Sequence, residues 1–331
     1  MRKYLLPEQG RFYKANLHSH STVSDGEYSP KELKEMYKQR GYSIIAYTDH
    51  NVLVPHSELT DNDFLALEGY ELDVNEAGDA FFDIKCCHMC FVALKPGTKQ
   101  VCYHRSAYCF GNAINYRDGI NFDESLPDYV REYTPQCVSD MMRIGRESGF
   151  FVTYNHPTWS QESYGDYVNY NNMHAMEIFN NISATDGFPE YNERVYDDML
   201  RAGKRIYCLA TDDNHNHRDD SFGGFTMIKA ESLDYTAVTD ALIKGYFYAS
   251  QGPEIYSLYV EDGRIYITCS EARSIRMSTA RRRAGVVFAR EGESVTSACF
   301  DFLPEDKYVR LTVTDRDGKH ANTNAYFTDE L

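Results

Sequence analysis

The 331-residue chain predicts an α/β fold followed by a small antiparallel β unit. Three observations lead there. A strand–helix–strand unit occupies residues 12–47. Strand and helix signals then alternate as far as Pro253. Beyond Pro253 the pattern changes to short alternating strands around Asp-Gly turns.

In the first unit, Phe12 to Leu17 reads as a strand. Ser29 fits a helix N-cap, Pro30 the N1 position, Glu32 the far end of a capping box, and Gly41 the C′ position. Tyr42 to Tyr47 reads as a buried parallel strand. Side chains suited to a metal crowd the places where these strands end: His18, His20, Asp25 and Thr48-Asp49-His50. In α/β folds that C-terminal edge is where sites are built. Residues i and i+2 of a strand share a face, so His18 and His20 present two imidazoles to one point. Asp25 and His50 can join from adjacent loops. A lone His-x-His is usually a pair of surface histidines, but the added Asp25 and His50 turn the pattern toward a metal site.

The stretch LHSHSTVSDGEYSP followed by AYTDHN resembles the opening of the polymerase-and-histidinol-phosphatase (PHP) domain family. That opening reads approximately D-x-H-x-H-(S/T)-x-x-S-D-G, with a second strand ending in T-D-H. Asn16 stands where the family often has Asp, a departure that touches no metal ligand. The resemblance implies a distorted (β/α)7 barrel, a cluster of up to three divalent metals, and hydrolase chemistry, usually on phosphoesters.

Further along, Phe64 to Leu72 reads as the third strand and carries two unexpected glutamates, Glu68 and Glu71. Gly69-Tyr70-Glu71 matches a family G-x-E element whose carboxylate bridges two metals, which selects Glu71 and leaves Glu68 as an edge charge. Asp83 to Leu94 is the next strand. Its Cys86, Cys87 and Cys90 lack zinc-ribbon spacing and read as buried small hydrophobes, while His88 matches the family's next ligand. Residues 95–133 lose periodicity and read as a lid or short helices. A phosphate-reading arginine could come from Arg105, Arg117 or Arg131, since a guanidinium fork fits phosphate oxygens.

Pro135 to Ser148 is an amphipathic helix, and Phe150 to Tyr154 a strand ending in Asn155-His156-Pro157, which resembles a family His-Pro element. Trp159 follows as a pocket wall. Met176 to Asn180 is a strand, Pro189 to Ala202 a helix, and Arg205 to Ala210 a strand ending in Thr211-Asp212-Asp213-Asn214-His215-Asn216-His217. Asp213 and His215 match the family's D-x-H. Asp212 and His217 either orient ligands or are solvated. His56 and His174 read as structural. Asp234 to Lys244 is the last helix. Ile255 to Ser270 and Tyr308 to Phe327 read as two hairpins, with Arg281-Arg282-Arg283 a solvated tip. The junction GYFYASQGP and the segment ANTN give a second resemblance, to PHP-type hydrolases of the carbaryl-hydrolase group, which cleave carbamate esters.

Nine positions thus match the family: His18, His20, Asp25, His50, Glu71, His88, His156, Asp213 and His215. By resemblance Glu71 bridges two metals. His18, His20 and Asp213 complete one site, His88 and His156 a second, and Asp25, His50 and His215 a third. Two to three divalent ions are implied, and the mixed imidazole and carboxylate donors suit Zn, Mn or Fe. The implied activity is hydrolysis of a small phosphorylated metabolite or nucleotide by a metal-bound hydroxide, with Asp213 and Glu71 as catalytic groups. The same site could serve a carboxylic or carbamate ester. A non-catalytic metal-stabilised binding module is the reading from another class, and the full set of nine positions counts against it.

Composition narrows the setting. The expected division is a hydrolase barrel over residues 1–253 and a small β domain over 254–331. A net charge of −16 argues against non-specific nucleic-acid binding. It does not exclude small anions, because bound cations reverse the local field. No apolar run reaches the ~18 residues that span a bilayer, and MRKYLLPEQGRFYK has too short an apolar run for a signal peptide. Nine cysteines without such a signal point to reduced thiols and a cytoplasmic location. The expected partner is a small-molecule substrate. Sequence does not specify an oligomeric state.

Overall fold

A computed structural model describes residues 2–78 and 81–331. The chain opens with β1 (Lys3–Tyr4) and β2 (Arg11–Asn16). Helix α1 (Pro30–Gln39) has the punctuation its sequence predicts. Ser29 Oγ accepts from the Glu32 N–H, and the Glu32 carboxylate accepts from the Ser29 N–H. Gly41 ends it at φ 77°, a left-handed conformation that favours glycine. Next come β3 (Ile44–Tyr47), β4 (Leu65–Asn75), β5 (Cys86–Ala93), α2 (Pro135–Glu147), β6 (Phe150–Tyr154), the short α3 (Tyr164–Tyr167), β7 (Ala175–Asn180) and the short α4 (Asn181–Thr185). α5 (Glu193–Arg201), β8 (Tyr207–Thr211), β9 (Phe225–Ala230), α6 (Tyr235–Lys244) and β10 (Phe247–Ser250) complete the α/β portion. The rest is β11 (Ile255–Glu261), β12 (Arg264–Ala272), β13 (Ser274–Thr279), β14 (Gly285–Phe288), β15 (Val295–Asp301), β16 (Tyr308–Thr314), β17 (His320–Thr323) and β18 (Tyr326–Phe327).

The architecture is α/β with a large mixed sheet. Its order is β14-β13-β16-β17-β10-β9-β2-β3-β4-β5-β6-β7-β8, and a second sheet runs β1-β11-β12-β15. Pairs β2–β3, β3–β4, β6–β7 and β7–β8 are parallel. β5 runs against both of its neighbours. Past the strand ends, the two flanks of this sheet meet. The Asp213 N–H donates to the His18 carbonyl at 2.9 Å, and the His20 N–H to the Asn214 carbonyl at 3.0 Å. The sheet therefore curls until the continuation of β8 lies beside that of β2. Inside the curl, Ile44, Ala46, Leu65, Leu67, Val92, Phe151 and Leu209 form one buried cluster with Val238 and Leu242 of α6. Burying each large apolar side chain contributes about 1.5–3 kcal/mol, and the cluster gives the residues above it a rigid floor.

The strands after Pro253 attach in two ways. β17 pairs antiparallel with β10, and β1 pairs with β11. Arg310 is fully buried in the seam and donates to Asp197 and Glu193 of α5, each at 2.8 Å. The carboxylates are what make a buried guanidinium tolerable there.

Some expectations shift. The helix expected over Pro189 to Ala202 begins at Glu193. β9 was not foreseen. It lies between β10 and β2 and is antiparallel to both. Arg283 is not a solvated tip: it pairs with Asp306 and donates to the Asp301 carbonyl at 2.8 Å. No described helix is long and apolar enough to cross a membrane.

A candidate metal centre at one edge of the sheet

Seven chain segments bring the nine motif residues together. His18 and His20 lie on the continuation of β2. His50 follows β3, where the Asn51 N–H donates to the Glu71 carbonyl at 2.8 Å and seats His50 opposite Glu71 of β4. His88 is on β5 and His156 just beyond β6. Asp213 and His215 follow β8. Asp25 comes in on the loop before α1. Asp49 accepts from the backbone N–H groups of Ser21 and Ser24, which fixes that loop. His156 and Asp213 both have positive φ, 24° and 54°. Non-glycine residues held there cost about 1–3 kcal/mol each and gather at functional sites.

The donor atoms form three overlapping groups, each with its atoms within 4.8 Å of one another. The first is His18, His20, Glu71 and Asp213. The second is His50, Glu71 and His88. The third is His20, Asp25, His50 and His215. The division differs from the one the resemblance implies. The His20 ring puts Nε2 3.0 Å from Asp213 Oδ1 and Nδ1 3.8 Å from Asp25. The His50 ring likewise faces Glu71 at 3.1 Å and Asp25 at 3.7 Å. His156 stands beside the groups, its Nε2 3.4 Å from Glu71 and 3.6 Å from Asp213.

Residues outside the motif set the orientation. His18 Nδ1 bonds Glu177 at 2.7 Å, which turns Nε2 toward the cluster. His215 Nδ1–H donates to the Asp213 carbonyl at 3.0 Å, and His156 Nδ1 bonds Ser160 at 3.2 Å. Asn155 donates to one oxygen of Glu71 at 3.0 Å, and Asn180 to one oxygen of Asp213 at 3.1 Å. The other oxygens, Glu71 Oε2 and Asp213 Oδ1, are buried without a hydrogen-bond partner, as are His20 Nδ1 and His50 Nδ1. Buried polar atoms left so are costly.

These orphaned atoms test the fit to a metal. In the first group, His18 Nε2 lies 3.1 Å from Glu71 and 3.1 Å from Asp213, and His20 Nε2 lies 3.0 Å from Asp213 and 3.4 Å from Glu71. A tetrahedral cation with bonds of about 2.0–2.1 Å has ligand edges of about 3.3–3.4 Å. The residues fit a divalent cation, and the mixed N and O donors belong to the borderline class of metals.

Electrostatics agree. Burial opposes charge on His20, but Asp213 and Glu71 outweigh it and lift its pKa to about 10. His18 is raised well above its ordinary value despite burial, through Asp213 among others, and His88 likewise through Glu71. Burial and the neighbouring His20 push His50 down to about 4. Burial disfavours ionised Glu71, yet His18, His88 and His50 hold it well below the usual carboxylate range. Asp25 and Asp213 are also held low against burial, Asp25 chiefly by His50 and Asp213 chiefly by His18. The carboxylates are ionised and call for positive charge.

Other residues fall elsewhere. Glu68 points away and accepts from the Gly97 N–H at 2.8 Å. Asp212 is not solvated. It is buried and accepts from Tyr37 and from the N–H groups of Phe222, Gly223 and Gly224, and burial raises its pKa to about 6. His217 is exposed and faces Glu27 at 3.1 Å. Trp159 packs edge-on to His88 and His156, with ring centroids at 5.4 and 5.1 Å. Arg131 is turned to Asp73 and Arg105 to Asp128. The arginine that lines the site is Arg218, paired with Asp186. Glu177, Asn155, Asn180 and Arg218 escaped the sequence reading. The one signal for Glu177 was a carboxylate in the apolar strand MEIFN. A cavity of about 510 Å³ opens above the cluster, with Phe110 and Trp159 among its walls.

No family model matches the chain, and no curated protein matches it significantly. Solved structures do. A two-domain protein containing a predicted PHP-like metal-dependent phosphoesterase from Bacteroides vulgatus ATCC 8482 matches over 98% of this chain and 97% of its own, at 14% identity and a TM-score of 0.46. A candidate metal-dependent phosphoesterase from Bifidobacterium adolescentis ATCC 15703 matches over 64% of this chain and 89% of its own, at 15% identity and a TM-score of 0.39. An amidohydrolase from Chromobacterium violaceum with bound sulfate and no metal matches over 62% of this chain and 89% of its own, at 15% identity and a TM-score of 0.42. The chain resembles the PHP family in its motifs, and the residues of those motifs meet at one edge of its sheet.

Proposed function

We propose that the protein is a metal-dependent hydrolase of small esters, with phosphoesters as the favoured class. One observation carries this reading: Glu71 Oε2 and Asp213 Oδ1, buried without hydrogen bonds, both converge on His20 Nε2, at 3.4 and 3.0 Å. The curled sheet is read as a distorted (β/α)7 barrel over residues 1–253 with a β domain over 254–331, in a cytoplasmic protein. Up to three ions of Zn, Mn or Fe, one for each donor group, would be held by the eight residues of those groups, with His156 as a ninth donor 3.4 Å from Glu71. Such ions supply Lewis acidity and a nucleophile at neutral pH.

The chain's own residues do the rest. His18, His20, Glu71 and Asp213 fix one end of the cavity. Asp213, through Oδ1, takes the proton of the attacking water. The water oxygen bonds to phosphorus, the P–O bond to the leaving group breaks, and the departing oxygen takes the proton from Asp213, giving an alcohol and phosphate. Arg218 meets the phosphoryl oxygens, and Trp159 and Phe110 exclude water. The cavity volume suits a small-molecule substrate. A carboxylic or carbamate ester is the second reading. It is supported by the cavity lining, where Arg218 is the one Lys or Arg among the described residues and is already paired with Asp186.

A panel of phosphomonoesters, carboxylic esters and carbamates, offered to metal-reconstituted protein, tests both. Phosphate release that chelator abolishes and divalent metal restores is the expected result. Turnover of carbamates alone would select the second reading, and no turnover of any ester would sink both.

A further inference from the structure

A second cavity, of about 420 Å³, adjoins the first. The two share Asn75, Trp159, Asp186 and Arg218 as lining. Beyond Trp159 its walls are apolar: Ile84, Phe82 and Phe188, with the last two 85% and 39% exposed. Gln161 donates to the Phe82 carbonyl at 2.9 Å and ties the loop after His156 to the turn before β5. Arg218 and Asp186 pair with each other at the junction, so the annex has little net charge to offer a second anion. Apolar, aromatic walls with a few amide groups take a flat apolar body better than a charged one.

We propose that this annex is the leaving-group subsite, and that it selects esters whose alcohol carries a planar apolar ring. The ring lies between Trp159 and Phe188 while the scissile group sits over Glu71 and Asp213. The proposal rests on the ester-hydrolase reading above. It goes beyond it by assigning specificity to residues that are not among the nine motif positions.

The test compares benzyl phosphate with ethyl phosphate on metal-loaded protein. The two alcohols have similar leaving ability, so the ratio of kcat/KM reads contact rather than intrinsic reactivity. We expect benzyl to exceed ethyl by at least about tenfold, as for an apolar pocket filled against one left empty. Phe188→Ala should collapse that ratio toward one, and Phe188→Tyr, which keeps the ring, should restore it. A second measurement does not need turnover. Trp159 is the single tryptophan of the chain, so its fluorescence reports this wall. Benzylphosphonate should change it at concentrations where ethylphosphonate does not, and Phe188→Ala should weaken that response. A wild-type ratio near one, or a ratio unmoved by Phe188→Ala, overturns the proposal. If neither phosphate is hydrolysed, the phosphoester reading fails and the titration decides the annex alone. A benzyl-specific response that depends on Phe188 supports it, and equal responses to both phosphonates overturn it.

Discussion

His18 Nε2 and His20 Nε2 face one another across 3.1 Å, although the two residues are separated by only one position on the same strand extension. Glu177 holds the other nitrogen of His18 at 2.7 Å and so fixes the ring. Two imidazole nitrogens and two carboxylate oxygens at that spacing match the ligand edges of a small divalent cation. Elemental analysis of protein purified without chelator should therefore find divalent metal, up to one ion for each of the three donor groups. Content well below one per chain after reconstitution would remove the metal-centre assignment.

Glu71 and Glu68 lie on one strand and point to different places. Glu71 touches His18, His50, His88 and His156, whereas the Glu68 carboxylate accepts only from the Gly97 N–H among the described residues. Glu71→Gln should lose metal and reduce turnover by at least ~10²-fold, as for a major catalytic group. Glu68→Gln should keep its metal and most of its activity. Metal content and turnover of both variants, with folding checked by circular dichroism, decide the matter. The reverse pattern would move the bridge to Glu68.

Glu177 accepts from His18, Thr211, Asn180 and the His156 N–H. In Glu177→Gln a donor replaces one acceptor and disturbs the tautomer of His18. Metal affinity, measured by competition with a chelator, should fall by about 10–100-fold. Unchanged affinity in a folded variant would reduce Glu177 to a packing role.

Arg218 lines the cavity, paired with Asp186. A hydrogen bond from a guanidinium to an anion contributes about 1.5–3 kcal/mol. Arg218→Ala should accordingly lower kcat/KM for phosphomonoesters by about 10–100-fold and change carboxylic ester hydrolysis far less. Equal losses on both substrate classes would show that Arg218 only holds Asp186.

Glu162 gives a pH-dependent stability. It receives hydrogen bonds from Tyr133 at 2.9 Å, Tyr154 at 2.5 Å and Tyr170. Burial nevertheless dominates and raises its pKa from 4.5 to about 7. The folded state therefore keeps a proton that the unfolded chain gives up. The stability this group contributes is complete below pH 4.5 and is lost as pH rises through 7. Glutamine does not ionise, so Glu162→Gln should gain on the wild type between pH 5 and pH 8, by up to about 3 kcal/mol. Denaturant titrations at both pH values measure the gap, and a constant gap would refute the shift.

Sequence alone made most of the α/β alternation legible, and with it the nine motif positions that meet at the sheet edge. Capping residues, Asp-Gly turns and His-x-His act locally, so Ser29, Glu32, Gly41, His18 and His20 are legible without the fold. Tertiary structure decided what depends on distance. Glu177 is 159 residues from His18, and only the parallel packing of β7 and β8 under the β2 extension joins them. The ladder through Asn51 and Glu71 put His50 against Glu71, while β9 entered between β2 and β10 because pairing, not periodicity, places a short mixed strand. Arg131 and Arg218 look alike as sequence. Asp73 turns the first away, and Asp186 holds the second at the mouth of the cavity. A charged side chain goes to its partner, and the partner is chosen by the fold.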